Sequence, residues 1–509
     1  MNDLQLIIPM TGVGQRFINA GFKELKPLIK LAGETMISHV MKMYKTVENP
    51  IFIISESNPQ KNILRGELIQ IRPKSQIIEI SAHKYGPSYA IWQIRDQIDK
   101  SKKTIVNYCD FSGYWKIDNM IQELEKSDGA ILTYTGFHPH MLRNTSYAYV
   151  KESSEGNVLD IQEKNSYTDS PLHEQASAGA YGFKNGEILL DAIETQLKEN
   201  ISLNNEFYTS LTYIPMLNQD KIVSTVKMEK FFQWGTPEDV ADWCYWHSAL
   251  KEIANREQTK KRISGSGVIL AAGRGSRTEA IGLPPKPLIK IGKHKLWEYS
   301  GNASQLLDES VIVTRDNLIS TSNTLKMPVV NLNEITQGQA ISAKYGLGKL
   351  KNSINPVSIL SCDNVISEKN LEEAHLAATR ADLVVWTAKN YPPATLSPEQ
   401  YSWIKSDSRK GFDILLKQEP KSFEDYSVII GNFTFNNLEL AKRLIQMLED
   451  QDIRINNEFY LDSLISLVGN LGMKVEVLDI PNFFAVGTAE EFKTYQYWFE
   501  VSQVYDFKA

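Results

Sequence analysis

Cysteine is almost missing from this chain: 509 residues contain three, Cys109, Cys244 and Cys362. So few, so far apart, exclude a disulfide framework and a zinc-type thiolate cluster. They suit a reducing compartment, and a cytoplasmic protein is expected. The chain also lacks basic excess. Its net charge of −6 argues against a phosphate-backbone binder, so no nucleic-acid partner is expected. No apolar run approaches the roughly 18–20 residues of a membrane span, so no membrane insertion is expected. Met1-Asn2-Asp3-Leu4 carries no basic segment before its apolar stretch, which reads as a first strand and not as a secretory leader. The eight histidines form no metal-like cluster, and no low-complexity tract is present. What remains is a globular composition in a chain too long for one core, with two to four domains expected.

The positive signal is an internal repeat. Ile7-Ile8-Pro9-Met10-Thr11-Gly12-Val13-Gly14-Gln15-Arg16 returns as Val268-Ile269-Leu270-Ala271-Ala272-Gly273-Arg274-Gly275-Ser276-Arg277. Lys26-Pro27-Leu28-Ile29-Lys30 returns from Lys286, Tyr108-Cys109-Asp110 as Ser361-Cys362-Asp363, and Gly235-Thr236 as Gly487-Thr488. Asn204-Asn205-Glu206-Phe207-Tyr208 returns as Asn456-Asn457-Glu458-Phe459-Tyr460. The offsets drift only from 261 to 252 residues. Five matches in one order identify a duplicated domain with small loop deletions.

The sequence places a first domain at 1–255, a linker at 256–266 and a second domain at 267–509. Glu238 to Ala254 reads as a closing amphipathic helix, and Ser264-Gly265-Ser266-Gly267 as a flexible joint. Within the first half, Leu4–Ile8, Ile51–Ile54, Gln76–Ile80 and Thr104–Asn107 read as strands, and Met36–Tyr44 and Ser88–Gln97 as helices. That alternation predicts an α/β fold, a mixed, mostly parallel sheet flanked by helices in each half. Ligands of such sheets bind at the carboxyl ends of the strands.

The motifs fall at those ends. An apolar strand runs into Gly12-x-Gly14-x-Arg16 and Gly273-x-Gly275-x-Arg277. Glycines permit close backbone approach, bare N–H groups can cradle phosphate oxygens, and arginine adds a fixed cation. The loop is neither a Walker A loop nor a complete dinucleotide fingerprint. Lys26 and Lys286 follow 14 and 13 residues after the first glycine, each stiffened by a proline. Such cations would neutralise a triphosphate as its α-phosphorus is attacked. Asp110 and Asp363 end apolar strands, where a lone carboxylate suits a hard cation such as Mg²⁺ or, alternatively, caps a turn. Cys109 and Cys362 read as small buried residues, because neither copy repeats a histidine partner. Trp234, Trp243 and Trp246 read as packing.

Together, Leu270-Ala271-Ala272-Gly273-x-Gly275-x-Arg277 and Pro285-Lys286-Pro287-Leu288 resemble the signature of the sugar-1-phosphate nucleotidyltransferases, with a Rossmann-like (GT-A-like) fold. The resemblance covers both halves. The first departs from it, with Pro9-Met10-Thr11 in place of Leu-Ala-Ala. It implies that an NTP and a phosphorylated sugar or small alcohol give an activated product and pyrophosphate, a step common in capsule and surface-polysaccharide synthesis. By this resemblance Arg16, Lys26, Arg277 and Lys286 are the catalytic cations. Gly12, Gly14, Gly86, Ser88, Gly273, Gly275, Gln337 and Gly338 bind nucleotide. Asp110 and Asp363 hold Mg²⁺, and Glu163, Lys164, Gly179, Lys417 and Gly431 face the acceptor. An oligomer is compatible with this reading.

Departures are equally legible. A second metal-binding aspartate of such enzymes falls here on Gln233 and Ala485. Glu206 and Glu458 are candidate substitutes, unless their asparagines merely cap a helix. Glu163 aligns with Leu416, and Ser177-Ala178-Gly179 with Ile429-Ile430-Gly431. Two sites with different acceptors, or one active half beside a degenerate or regulatory one, are both compatible with these differences. A glycosyltransferase of related fold would need an Asp-x-Asp that Asp110-Phe111-Ser112 and Asp363-Asn364-Val365 lack.

Overall fold

The computed structural model describes residues 3–254, 261–273, 275, 279, 282–319, 327–351, 354–407 and 411–505. Its contacts divide the chain into two units. Met1–Cys244 with Glu500–Asp506 forms one, and Tyr245–Phe499 makes up most of the other.

In the first unit, the strand Leu4–Met10 is buried along all seven residues, as a central strand covered on both faces must be. Ile51–Ser55 and Lys103–Asn107 flank it in parallel, and Gln76–Ile80 extends the sheet beyond Ile51–Ser55. Gln175–Phe183 then pairs antiparallel with Lys103–Asn107. Nine strands form the complete mixed sheet. The helices Met36–Lys42 and Pro87–Gln93 begin within one residue of expectation. Pro237–Ala254 is helical.

The second unit repeats this order. Ile263–Ala271 lies in parallel between Leu307–Arg315 and Val357–Ser361, and Ser427–Phe435 turns antiparallel against Val357–Ser361. This sheet also has nine strands. One local reading is overturned: Ser264–Gly267 is no flexible joint but lies inside the strand Ile263–Ala271. Pairing on both sides outweighs the composition, and the glycines serve packing. A Cβ at Gly265 would stand 2.4 Å from His375 Nδ1, and one at Gly267 would stand 2.8 Å from Leu307 Cδ1.

A short antiparallel ribbon completes each site wall. Phe111–Tyr114 pairs with Lys230–Gln233, and Asn364–Val365 with Phe484–Ala485. Each ribbon starts directly after the repeated aspartate and ends just before the repeated Gly-Thr, so it carries both to the same place. The tryptophans are packing residues, as expected. Trp234 meets Trp243 edge to face at 5.3 Å in the first unit, and Trp246 lies 5.6 Å from Phe484 in the second.

Candidate functional site

In the first half, the strand Leu4–Met10 empties into the glycine loop, and Gly14 turns it into the helix Gln15–Asn19 with φ of 67°. Such a conformation favours glycine. Gly12 has open space where a Cβ would be, and Arg16 on the following turn is exposed. Lys26 opens a 3₁₀ turn, Lys26–Leu28, set by Pro27. Its Nζ donates to Asp110 Oδ2 at 2.6 Å and reaches the Gly235 carbonyl at 3.4 Å. The Trp234 N–H donates to the Asp110 carbonyl at 2.8 Å, which ties the Gly-Thr loop to the aspartate.

The second half builds the same cluster. Gly275 has φ of 67°, Lys286–Leu288 is a 3₁₀ turn, and Lys286 pairs with Asp363. Val486 N–H donates to the Asp363 carbonyl at 3.0 Å. Burial works against both charges, yet each partner's charge prevails: Asp363 keeps Lys286 above the usual lysine range, and Lys286 keeps Asp363 below the usual carboxylate range. Arg277 lies outside the described residues. Cys109 and Cys362 are not poised as nucleophiles, since burial pushes both thiols up to about 12.

The asparagine pairs correct one reading. They do not cap helices. Asn204 and Asn205 have φ of 53° and 62°, and Asn456 and Asn457 have φ of 49° and 63°. Leu203 and Glu206 exchange both backbone hydrogen bonds at 3.0 Å, and Ile455 and Glu458 do so at 2.9–3.0 Å. Each pair is therefore the two-residue tip of a tight β-turn, where consecutive left-handed residues favour asparagine. Glu206 accepts from the Tyr208 phenol.

This turn presses on the loop expected to face the base. Phe207 N–H donates to the Tyr85 carbonyl at 2.8 Å, and Ser88 N–H to the Phe207 carbonyl at 3.0 Å. In the second half, Phe459 N–H donates to the Gln337 carbonyl at 2.8 Å, and Ala340 N–H to the Phe459 carbonyl at 3.0 Å. Gly86 and Gly338, at φ of 84° and 117°, leave no room for a Cβ. It would stand 2.8 Å from Phe207 N and 2.6 Å from Phe459 N, respectively.

On the side expected to face the acceptor, Lys164 and Lys417 both follow their strands in the left-handed conformation, with φ of 58° and 54°. Their ammonium groups lie over Tyr208 and Tyr460, 4.4 Å and 5.7 Å from the ring centroids. The alignment of Glu163 with Leu416 follows. Glu163 is raised by burial and accepts from Ser210 Oγ at 2.5 Å. Gly179, at φ of 100°, receives Tyr108 N–H on its carbonyl at 3.0 Å. Gly431, at φ of 73°, occupies the same place in its strand.

In the second half two cavities adjoin. One, of about 680 Å³, is lined by Gly273, Gly275, Gln337, Gly338 and Asp363, among others. The other, of about 330 Å³, is lined by Lys417, Gly431, Tyr460, Asp462 and Glu491, among others. Lys286 and Asp363 line both. The expected nucleotide side and the expected acceptor side thus flank one ion pair. A groove of about 530 Å³ in the first half, lined by Lys30, Glu34 and Arg72, contains none of the expected site residues.

Sequence reading missed two carboxylates beside the Gly-Thr loops. Asp239 accepts from Thr236 N–H at 3.0 Å, and burial lifts it to about 7. Glu491 accepts from Gly487 and Thr488 N–H at 2.7 and 3.0 Å, and from the Tyr401 hydroxyl at 2.6 Å. The N–H groups of Asp239 and Glu491 donate in turn to the Thr236 and Thr488 hydroxyl oxygens at 3.3 and 3.1 Å. This is the reciprocal cap at a helix start, and its Thr-x-x-Asp/Glu spacing was readable. Among the described residues, no group of three or more His, Cys, Asp or Glu side chains could hold a metal ion by itself. A single aspartate still fits Mg²⁺, which is commonly held by one or two carboxylates together with substrate phosphates and water.

A Nucleotidyl transferase family model matches residues 6–247, and a MobA-like NTP transferase domain model matches residues 267–421. Among solved structures, the chain is similar to a nucleoside-diphosphate-sugar pyrophosphorylase from Vibrio cholerae RC9. Identity is 18%, coverage 47% of this chain and 99% of that one, and TM-score 0.40. A UTP-bound UGPase from Acinetobacter baumannii is 18% identical over 48% of this chain and 93% of its own, with TM-score 0.38. An inositol-1-phosphate CTP transferase from T. maritima is 13% identical over 46% and 90%, with TM-score 0.37. No curated protein matches the chain in sequence. Among the described residues, no helix is long and apolar enough to cross a membrane. The two family matches make the chain a tandem of nucleotidyltransferase domains and an enzyme of that class.

Proposed function

We propose that this tandem nucleotidyltransferase, with a first domain at 1–255 and a second at 267–509 to which the strand from Ile263 also belongs, transfers NMP from an NTP to a sugar 1-phosphate or other phosphorylated small acceptor. The setting is a cytoplasmic pathway of capsule or surface-polysaccharide synthesis, and the two halves serve different acceptors. The observation that carries this reading is the lysine–aspartate pair beside the Gly-Thr loop, built twice with the same partners. In the second half it stands between two adjoining cavities.

An acceptor phosphate oxygen forms a bond to the α-phosphorus as the bond to the β-phosphate bridging oxygen breaks, and pyrophosphate leaves. The acceptor phosphate is already ionised, so no general base is needed. Alignment and charge neutralisation do the work. Gly12, Gly14, Gly273 and Gly275 hold the phosphates, with Arg16 and Arg277 beside them. Gly86 with Ser88, and Gln337 with Gly338, face the base. Lys26 and Lys286 exchange their aspartate for triphosphate oxygens, and Asp110 and Asp363 are the residues that would hold Mg²⁺. Bound there, Mg²⁺ would supply further neutralisation of the phosphate charge. Glu163, Lys164 and Gly179 in one half, and Lys417 and Gly431 in the other, hold the acceptor.

The test is pyrophosphate release with each NTP against a panel of phosphorylated sugars and amino alcohols, for the intact protein and for Lys26→Ala and Lys286→Ala. Two activities that are lost separately are expected. No release with any pair would overturn the assignment. Loss of every activity by either single change would leave one coupled site in place of two.

A further inference from the structure

The halves differ most at the residue before the acceptor-side lysine. Glu163 precedes Lys164, whereas Leu416 precedes Lys417. Read alone, this exchange leaves the second half without the carboxylate of the pair. The segment after the repeated hairpin contains the complementary change. Asn204-Asn205-Glu206-Phe207-Tyr208-Thr209-Ser210 matches Asn456-Asn457-Glu458-Phe459-Tyr460-Leu461-Asp462 without a gap, so Asp462 stands where the first half has Ser210. Ser210 is the residue that hydrogen-bonds Glu163, at 2.5 Å. The two positions therefore touch in the first half, and in the second their polarity is exchanged.

We infer that Asp462 supplies in the second half the carboxylate that Glu163 supplies in the first, and so positions Lys417 for the phosphate of the acceptor. The inference rests on the acceptor reading proposed above. Asp462 is 6% exposed and lines the 330 Å³ cavity together with Lys417 and Tyr460. The Lys417 ammonium also donates to the Gln400 carbonyl at 2.8 Å, which fixes one side of it. The attraction of Lys417 opposes the upward pull of burial on Asp462, as Lys164 opposes it on Glu163. A buried carboxylate is strongly disfavoured without such a partner. Leu416 follows the strand Gly411–Leu415 and is half-buried, and Val428, Ile429 and Ile430 line the cavity. Asp462 is thus a positioning residue.

The experiment follows Lys417 directly. In the full-length protein, the rate of its modification by an amine-reactive reagent is measured against pH by peptide mass spectrometry, with Lys164 as the internal reference. Asp462→Asn should shift the Lys417 profile to lower pH by at least half a unit and leave Lys164 unmoved. The double change Leu416→Glu with Asp462→Ser, which copies the first half, should restore the profile. An unmoved Lys417 in Asp462→Asn, or a failure of the double change to restore it, would overturn the inference. Circular dichroism and the Lys164 profile distinguish this from a variant that does not fold. A parallel assay uses pyrophosphate release in the Lys26→Ala background. There Asp462→Asn should raise the KM for the phosphorylated acceptor about tenfold with kcat held within twofold, and the double change should return it. No release from the Lys26→Ala parent would refute the activity of the second half while leaving the Lys417 result to decide the role of Asp462.

Discussion

Among the described residues, the expected nucleotide side is built alike in the two halves, and the expected acceptor side is not. Lys26 and Lys286 open the same 3₁₀ turn and meet the same aspartate. Gly86 and Gly338 lie against the same backbone of Phe207 and Phe459. Across the pair, Glu163 and Ser210 give way to Leu416 and Asp462, and Ser177-Ala178 to Ile429-Ile430. Sites that handle a common moiety keep common geometry, and the walls facing a variable partner diverge. If both halves turn over, the difference lies in what they accept rather than in how they cleave the triphosphate.

The strongest way to break this comparison is the lysine. Removing one preorganised charge aimed at a developing transition state costs roughly a hundred- to a thousand-fold in rate. Lys26→Ala and Lys286→Ala should each impose that loss on one activity and spare the other, as measured by pyrophosphate release. Equal loss of both activities in either variant would end the picture of two parallel sites.

A second contrast lies at the base of the sheets, far from the proposed chemistry. In the first half an uncharged amide does the bracing: Gln5 Nε2 donates to Thr104 Oγ1 at 2.7 Å and to the Asp99 carbonyl at 2.8 Å. In the second half His375 lies between Ser358 Oγ at 3.0 Å and the Ser264 carbonyl at 3.2 Å. Burial lowers His375 to about 4. At this site the folded state therefore binds fewer protons than the unfolded state between pH 6.5 and 4. The stabilisation is fully present above about pH 6.5 and fades as pH falls towards 4, by about 3 kcal/mol in all. Once corrected for the intrinsic slowing of amide exchange at lower pH, the protection of the strand Ile263–Ala271 should fall over that window in the parent, with a flatter profile in His375→Gln. Equal pH profiles in the two proteins would refute this role.

Much of this architecture was legible, for identifiable reasons. Central strands buried on both faces read as apolar runs, so Leu4–Met10 and Ile51–Ser55 announced the sheet. The glycine loops, lysines and aspartates stood out because they recur. The direct pairing of Lys26 with Asp110 was not legible, because 84 residues separate them and only the sheet order brings them together. Ser264–Gly267 looked like a joint because composition reports local preference and not two-sided pairing. Helix caps were the alternative weighed for the Asn-Asn pairs, although a two-residue turn has that same signature. The compensating place of Asp462 emerged only when the hydrogen bond from Ser210 to Glu163 showed that these two positions meet.

The close backbone contact at Gly86 and Gly338 sharpens the comparison further. At positive φ and with a Cβ inside 3 Å of backbone, Gly86→Ala and Gly338→Ala should each cost about 1–3 kcal/mol, because neither the strain nor the clash can be relieved by a side-chain rotation. Each should also weaken nucleotide binding in its own half, readable by titration of the full-length protein with a non-hydrolysable NTP. A loss confined to one of the two variants would show that the shared geometry does not carry a shared duty.

The smallest effect belongs to the turn tips. Asn205 and Asn457 hold φ of 62° and 63°. Asparagine visits this region with help from its own side chain, glycine without penalty, and alanine at a cost of about 1 kcal/mol. Asn205→Ala and Asn457→Ala should therefore speed exchange at the Leu203–Glu206 and Ile455–Glu458 amide pairs by about fivefold, while the glycine variants leave it near the parent rate. Because Phe207 and Phe459 follow each tip directly and bond the loops at Gly86 and Gly338, the loosening should pass to those loops as a modest rise in nucleotide KM, equal in the two halves. Faster exchange in the glycine variants as well would mean that side-chain contacts of the asparagines, and not their backbone angle, hold the turns.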